Sequence, residues 1–178
     1  MKKNILIILQ FCLFFCFISC NKESYKDLYW GASKASKNNV IWEALPNAHN
    51  TKFGLTFSFD IYDSKSEVVR QTLNLYKVPL KIDKYILKKT DNQVDDGKVG
   101  ALFTTLTSEG DVYEDFYYIK DIDSTFNHIS ITKIKGDEIW GTFNLKVHRD
   151  ASRPLTSKDI PEVITFENGD FHTKIIEK

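Results

Sequence analysis

Cysteine is nearly missing from this chain of 178 residues: the three present stand at 12, 16 and 20, and the 158 positions after residue 20 hold none. Beyond residue 20 there can be no disulfide framework, no thiolate metal site and no cysteine nucleophile. Charge of one sign is missing as well, since 24 Lys and Arg balance 24 Asp and Glu. No net field recruits nucleic acid or an acidic surface, and no nucleic-acid partner is expected. The sequence also lacks a Gly-x-Ser-x-Gly elbow, a phosphate loop, a dinucleotide fingerprint, internal repeats and low-complexity segments. Nucleophilic and nucleotide-dependent catalysis therefore have no support, and no cofactor is expected. The 42% apolar and 27% charged residues that remain are those of an ordinary folded domain, and the length suits a single one.

The cysteines mark an address. Met1-Lys2-Lys3-Asn4 is a short basic region, and Ile5 to Ile18 is apolar except for Gln10. This is the pattern of a signal peptide, and it falls short of the about 20 apolar residues that span a bilayer. Phe17-Ile18-Ser19-Cys20 resembles the lipobox of bacterial lipoproteins, in which the cysteine thiol is diacylated, the peptide is cut before it, and the new amino group is acylated. Cys12 and Cys16 each follow a phenylalanine, so Cys20, behind the small Ser19 at the polar edge of the run, is the expected lipidation site. The alternative is an ordinary secretory signal with an incidental cysteine. Each buried CH₂ contributes about 0.8 kcal/mol, so two or three acyl chains anchor a protein essentially permanently. Loss of residues 1–19 removes Lys2 and Lys3, leaving 22 basic against 24 acidic residues. Residues 20–28 read as the lipidated cysteine and a solvated tether, and residues 29–178 as a single β-rich domain. Lys22-Glu23 resembles the charged export signals of surface-exposed Bacteroidetes-type lipoproteins, which implies the outer membrane, with its periplasmic and outer faces both open.

Beyond the tether the dominant period is two. Phe53, Leu55, Phe57, Phe59 and Ile61 alternate with Gly54, Thr56, Ser58, Asp60 and Tyr62, and residues Ile139 to Val147 alternate in the same way. Gln71 to Tyr76, Lys84 to Lys89, Val99 to Thr107, Val112 to Ile119, His128 to Ile134, Val163 to Glu167 and Asp170 to Ile176 are further strand candidates, rich in β-branched and aromatic residues. Asp96-Gly97, Glu109-Gly110-Asp111, Gly136-Asp137 and Asn168-Gly169 fall between runs as turns, the last as a two-residue hairpin. Ser64 to Gln71 and Tyr29 to Lys37 offer short helical possibilities. Arg149 to Glu162, with Pro154 and Pro161, reads as a long connection. The expectation is an all-β fold of eight or nine antiparallel strands, either a β-sandwich, which is favoured, or a small barrel, closed or partly open.

These segments also resemble a family of Bacteroidetes-type cell-envelope lipoproteins of unknown function. The likeness rests on Tyr29-Trp30-Gly31, Val40-Ile41-Trp42, Ile129 to Lys133, Gly141-Thr142-Phe143-Asn144-Leu145 and Ile164 to Phe171. It implies a β-rich fold and lipidation, not a reaction. Gly141 shares a face with Phe143 and Leu145, where a missing side chain lets an aromatic ring approach closely.

Candidate chemistry is sparse. His128 and His148 are expected near the open end of a hairpin around Gly136-Asp137, which supplies at most two ligands where catalytic zinc needs three, so no metal site is expected. Asp91 to Gly97 is acidic but lacks the ligand spacing of a calcium loop and reads as a solvated turn. Glu114-Asp115 and Asp121-Asp123 offer carboxylate pairs for glycoside hydrolysis, but Glu114 and Asp115 point to opposite faces of a strand. Val112 to Ile119 carries Tyr113 and Tyr117 on one face and Phe116 and Tyr118 on the other. It is either a central strand or one that presents Tyr113, Tyr117 and Tyr118 to a glycan or an envelope protein. Asp123-Ser124-Thr125 resembles an O-glycosylation acceptor of Bacteroidetes-type bacteria, with an Asx turn as the alternative. The resulting expectation is a membrane-anchored envelope lipoprotein that acts as a non-catalytic binding or structural module. The first alternative is a carbohydrate-binding or glycan-processing protein that uses residues near 113–123. A second is a subunit of an envelope assembly docking through an exposed strand edge.

Overall fold

The computed structural model describes residues 29–63, 65, 68–123, 125–153 and 160–176. The leader, Cys20, the tether, Ser124 and much of the Arg149 to Glu162 connection lie outside the described residues. Ten strands form one sheet: β1 (Ala32–Lys37), β2 (Val40–Thr51), β3 (Gly54–Asp63), β4 (Val68–Val78), β5 (Asp83–Ile86), β6 (Gly100–Leu106), β7 (Tyr113–Ile119), β8 (His128–Lys135), β9 (Glu138–Arg149) and β10 (Val163–Lys174). No α-helix occurs among the described residues, and none of their segments is a helix long and apolar enough to cross a membrane.

The strand order is β10-β1-β2-β3-β4-β6-β7-β9, and β9 pairs back with β10, so the all-β antiparallel sheet closes into an eight-stranded barrel. Of the two expected arrangements the molecule takes the barrel, in its closed form. β9 explains how two more strands fit. Its upper residues Val147 to Arg149 pair with β7, while Glu138 to Asn144 pair with β8, so one long strand serves two shorter neighbours stacked end to end. β5 pairs with β8, and a parallel bridge from Leu87 to Val99 joins it to the start of β6.

Side chains alternate in and out along each strand. Leu55, Phe57, Phe59, Leu73, Leu75, Phe103, Tyr117, Phe143, Leu145 and Phe166 point inward and are buried together with Phe171. Eight strands leave an interior that side chains can fill, and here six phenylalanines do so. Burying each such ring contributes roughly 1.5–3 kcal/mol, so the core holds without disulfides. The polar face is outside, with Lys34, Glu43, Asn47, Ser58, Thr72 and Asn74 on the wall. This is the reverse of a membrane-spanning barrel, whose outer band is apolar.

Several sequence expectations need correction. Tyr29 to Lys37 is not helical: its small Ala and Ser side chains let β1 pair with both β10 and β2. β2 is a strand absent from the expected set; it accommodates Pro46 because β1 begins too late to ask Pro46 for an N–H, and the Pro46 carbonyl accepts from Trp30 N instead. Val68 to Gln71 belongs to β4, not to a helix. Asn168-Gly169 is not a hairpin. The two runs around it are one strand, bulged between Phe166 and Gly169, with Asn168 at φ 52°. Phe166 and Phe171 are five residues apart and would face opposite sides of a regular strand; the bulge turns both inward.

Candidate functional site

β7 does not divide its aromatics as the alternation suggested. Tyr117 points into the core, 1% exposed, and its hydroxyl donates to Pro161 O at 3.1 Å. Burial pushes that phenol up to about 12. Tyr117 is a wall-to-core residue and presents nothing to a ligand outside the barrel. The register shift opposite Thr105 and Leu106 lets Tyr113 leave the interior face. Its ring lies 5.2 Å from that of Phe116, which in turn is 6.5 Å from Tyr118 and nearly parallel to it. The outer face of β7 thus carries a row of three rings. Arg153 lies 3.9 Å over Phe116, leaving Tyr113 (54% exposed) and Tyr118 (38%) as the accessible members.

Tyr118 borders a cleft of about 640 Å³ on the outer wall, lined also by Tyr76, Leu102, Lys89, Asp91, Asp96, Lys98 and Asp121. Its floor comes from three neighbouring strands, since Leu102 pairs with Tyr118 and Gly100 with Tyr76. Gly100 is required there: a methyl group would overlap the Tyr76 ring and Thr90. The roof is the acidic loop after β5. It is built round a cation, but the cation belongs to the chain. Lys77 sits at φ 62° in a bulge of β4, and its Nζ donates to Thr90 Oγ1 (2.5 Å), Asp96 Oδ1 (2.7 Å), Asp91 O (2.8 Å) and Val94 O (2.9 Å). Tyr76 adds a bond from its hydroxyl to Thr90 O at 2.7 Å. The loop read as a solvated turn is therefore pinned to the wall. A second cleft, of about 550 Å³, opens on its other side between His49, Phe53, Asn74 and Gln93.

Asp96 is not set up as the acid of a glycosidase. Lys77 and Thr90 pull the Asp96 carboxyl well below the carboxylate range, whereas a glycosidase acid must be raised. Burial pushes the Tyr76 phenol up to about 12, with Asp91, Tyr118 and Asp96 adding to it. Tyr118 is raised by burial and by Asp150. Both hydroxyls stay protonated, able to donate and to accept.

Asp115 and Asp123 are committed elsewhere. Asp115 is inside and Glu114 outside, as strand alternation requires, and Asp115 is bound to Arg149 at 2.7 Å. Asp123 meets His148 Nε2 at 2.6 Å and Lys146 Nζ at 3.3 Å. Burial alone would raise the Asp123 carboxyl, but these two partners hold it below its ordinary value. His128 Nδ1 pairs with Phe126 O at 2.8 Å. Both histidines flank the segment 121–127, yet among the described residues no three His, Cys, Asp or Glu side chains converge as metal ligands. Asp121 Oδ1 accepts from Lys89 N at 3.2 Å and lines the cleft. Sequence reasoning found Tyr118 and missed Tyr76, Lys77 and Leu102, which carry no motif and matter only because β4 and β6 lie beside β7. No family model, no curated protein and no solved structure matches the chain.

Proposed function

We propose that the protein is a lipid-anchored envelope lipoprotein, of the Bacteroidetes-type family it resembles, which binds a glycan in the Tyr118 cleft without processing it. The observation that carries the reading is the cleft itself: an exposed ring beside carboxylates and ammonium groups. Sugar rings offer apolar C–H faces to an aromatic side chain and hydroxyls to carboxylates and lysines. The closed barrel speaks against docking through a strand edge, since among the described residues only the four-residue β5 has a single ladder partner.

Glycan-array binding by the chain, compared with Tyr118→Ala and Asp121→Asn, tests the site. Both substitutions lie on the surface and should weaken binding about tenfold or more while the thermal midpoint stays unchanged. An array without signal, or one indifferent to both substitutions, overturns the glycan reading. The anchor is tested separately: Cys20→Ser should release the chain from the membrane fraction, and retention there would remove lipidation from the account.

A further inference from the structure

Phe53 shares the alternation of Leu55, Phe57 and Phe59 but not their place. Those three lie in the core, whereas Phe53 belongs to the β2–β3 turn and is partly exposed. The departure is built into the turn. Gly54 stands at φ 123°, a conformation L side chains rarely adopt, and a methyl group there would meet the Val78 carbonyl oxygen at 2.9 Å. Thr51 Oγ1 donates to Gly54 O at 2.7 Å and accepts from Phe53 N at 3.2 Å, which closes the turn and fixes the backbone that carries the ring.

The ring borders the cleft of about 550 Å³, and that cleft is continuous with the one at Tyr118. Tyr76, Asn92 and Leu102 line both. Leu102 pairs on one side with Asn74, which lines the Phe53 cleft, and on the other with Tyr118, so a single cross-strand row floors the two. Lining residues come from β2, β3, β4, β6 and β7, which lie side by side. The groove therefore crosses four inter-strand spacings of about 4.8 Å, about 19 Å in all. A single sugar ring would leave most of that length empty.

The two halves differ in charge. The Tyr118 half holds Asp91, Asp96 and Asp121 against Lys89 and Lys98, while no carboxylate lines the Phe53 half. Lys77 there is spent on Asp96 and the loop. Lys52 is exposed, has no ion pair among the described residues, and places its Nζ 4.5 Å from the Phe53 ring centroid. An ammonium and an aromatic ring on one turn suit a sugar that carries an acid: the ring takes its C–H face and the ammonium its carboxylate. Three aspartates turn that acid away from the opposite end. Complementarity of this kind sets the register of a ligand more than its affinity.

We infer that the two clefts are one groove for a linear oligosaccharide ending in an acidic sugar, whose neutral rings lie over Leu102 and Tyr118 and whose acid meets Lys52 beside Phe53. This rests on the glycan reading of the Tyr118 cleft and adds the length, charge and direction of the ligand.

Calorimetric titration of the full chain with three probes tests it: 3′-sialyllactose, with one carboxylate on its terminal sugar; its neutral methyl ester, of the same length; and lactose, which lacks that sugar. The acid should bind about fivefold more tightly than the ester, the size of effect one exposed ion pair provides, and the ester more tightly than lactose. Lys52→Gln should erase the first difference and Lys52→Arg retain it. Phe53→Ala should erase the second. Equal binding of acid and ester, or a preference for the acid that survives Lys52→Gln, overturns the inference, as does an advantage of the ester over lactose that survives Phe53→Ala. The glycan array separates the two failures. No signal on it removes cleft and groove together, whereas Tyr118-dependent signals with all three probes bound alike keep the cleft and remove the groove.

Discussion

Asp115 on β7 accepts a 2.7 Å hydrogen bond from Nε of Arg149 on β9, with each side chain only 4% exposed. The pair sits beside Tyr117, on which the two act with opposite sign. Removing one partner leaves the other charged and buried. Arg149→Met should therefore cost about 3–5 kcal/mol, whereas the double variant Asp115→Leu with Arg149→Met should recover most of it. Urea unfolding of the three chains measures both; a single variant as stable as the parent would show that the pair is solvated after all.

Lys77 makes four hydrogen bonds to one loop, from a side chain 5% exposed. Lys77→Met keeps the aliphatic stem and deletes the ammonium. Hydrogen bonds to charged groups contribute about 1.5–3 kcal/mol, so the loop should open by a comparable amount. Hydrogen exchange at residues 90–96 should quicken while β3 and β9 keep their protection. Uniform loosening of the whole barrel would mean that the ammonium supports the wall and not the loop.

Acid should act on the same loop. Folding lowers the Asp96 pKa below its ordinary 3.8, because Lys77 and Thr90 donate to the carboxylate. Its stabilising contribution is therefore complete above the unfolded value and is lost as pH falls through the lower folded one. Asp123 and Asp150 shift the same way. Asp60 runs opposite: burial raises it, against bonds from Thr72 and Tyr29, so its contribution is complete below the unfolded value and fades as pH rises through the folded one. Stability measured from pH 6 downward should decline below about pH 4, and Asp96→Asn should flatten that decline. An identical acid limb in the variant would contradict the assignment.

Gly141 and Gly136 should respond differently to alanine. At Gly141 a methyl meets the Phe171 ring and the Ser130 carbonyl oxygen, whereas at Gly136 nothing lies within 4 Å and only the positive φ of 63° resists. Gly141→Ala should cost about 1–3 kcal/mol by overpacking. Gly136→Ala should cost about 1–2 kcal/mol through backbone strain alone and leave the near-ultraviolet spectrum unchanged. A changed aromatic spectrum in Gly136→Ala would assign the wrong cause.

Much of this was legible in the sequence, and the rest failed for local reasons. Regular alternation located β3, β7, β8 and β9 to within about two residues, because one buried face repeats every second position. The space beside Gly141 was expected from its neighbours Phe143 and Leu145, and Phe171 occupies it. β1 was hidden by its small Ala and Ser side chains, which show no apolar alternation, and by a second partner, β10, far away in the sequence. The continuity of β10 was hidden by Asn168-Gly169, since a bulge and a hairpin draw on the same residues. The face of Tyr113 was misplaced because a register shift shows only in pairing. Lys77 illustrates the limit best: the acidic loop read alone is a solvated turn, while the chain pins it with an ammonium 13 to 19 residues away.

The first strand pairs with the last: Ser33 lies opposite Phe171, and Ala32 opposite His172. The seam that seals the wall thus joins segments separated by nearly the whole folded chain, and no early portion can complete it. Contacts of such sequence separation form slowly, after the local hairpins. Until the last strand is free the wall cannot close, and the earlier strands hold at most an open sheet. The same seam makes loss of residues 163–178 a failure of closure, with β1 and β9 both left as open edges.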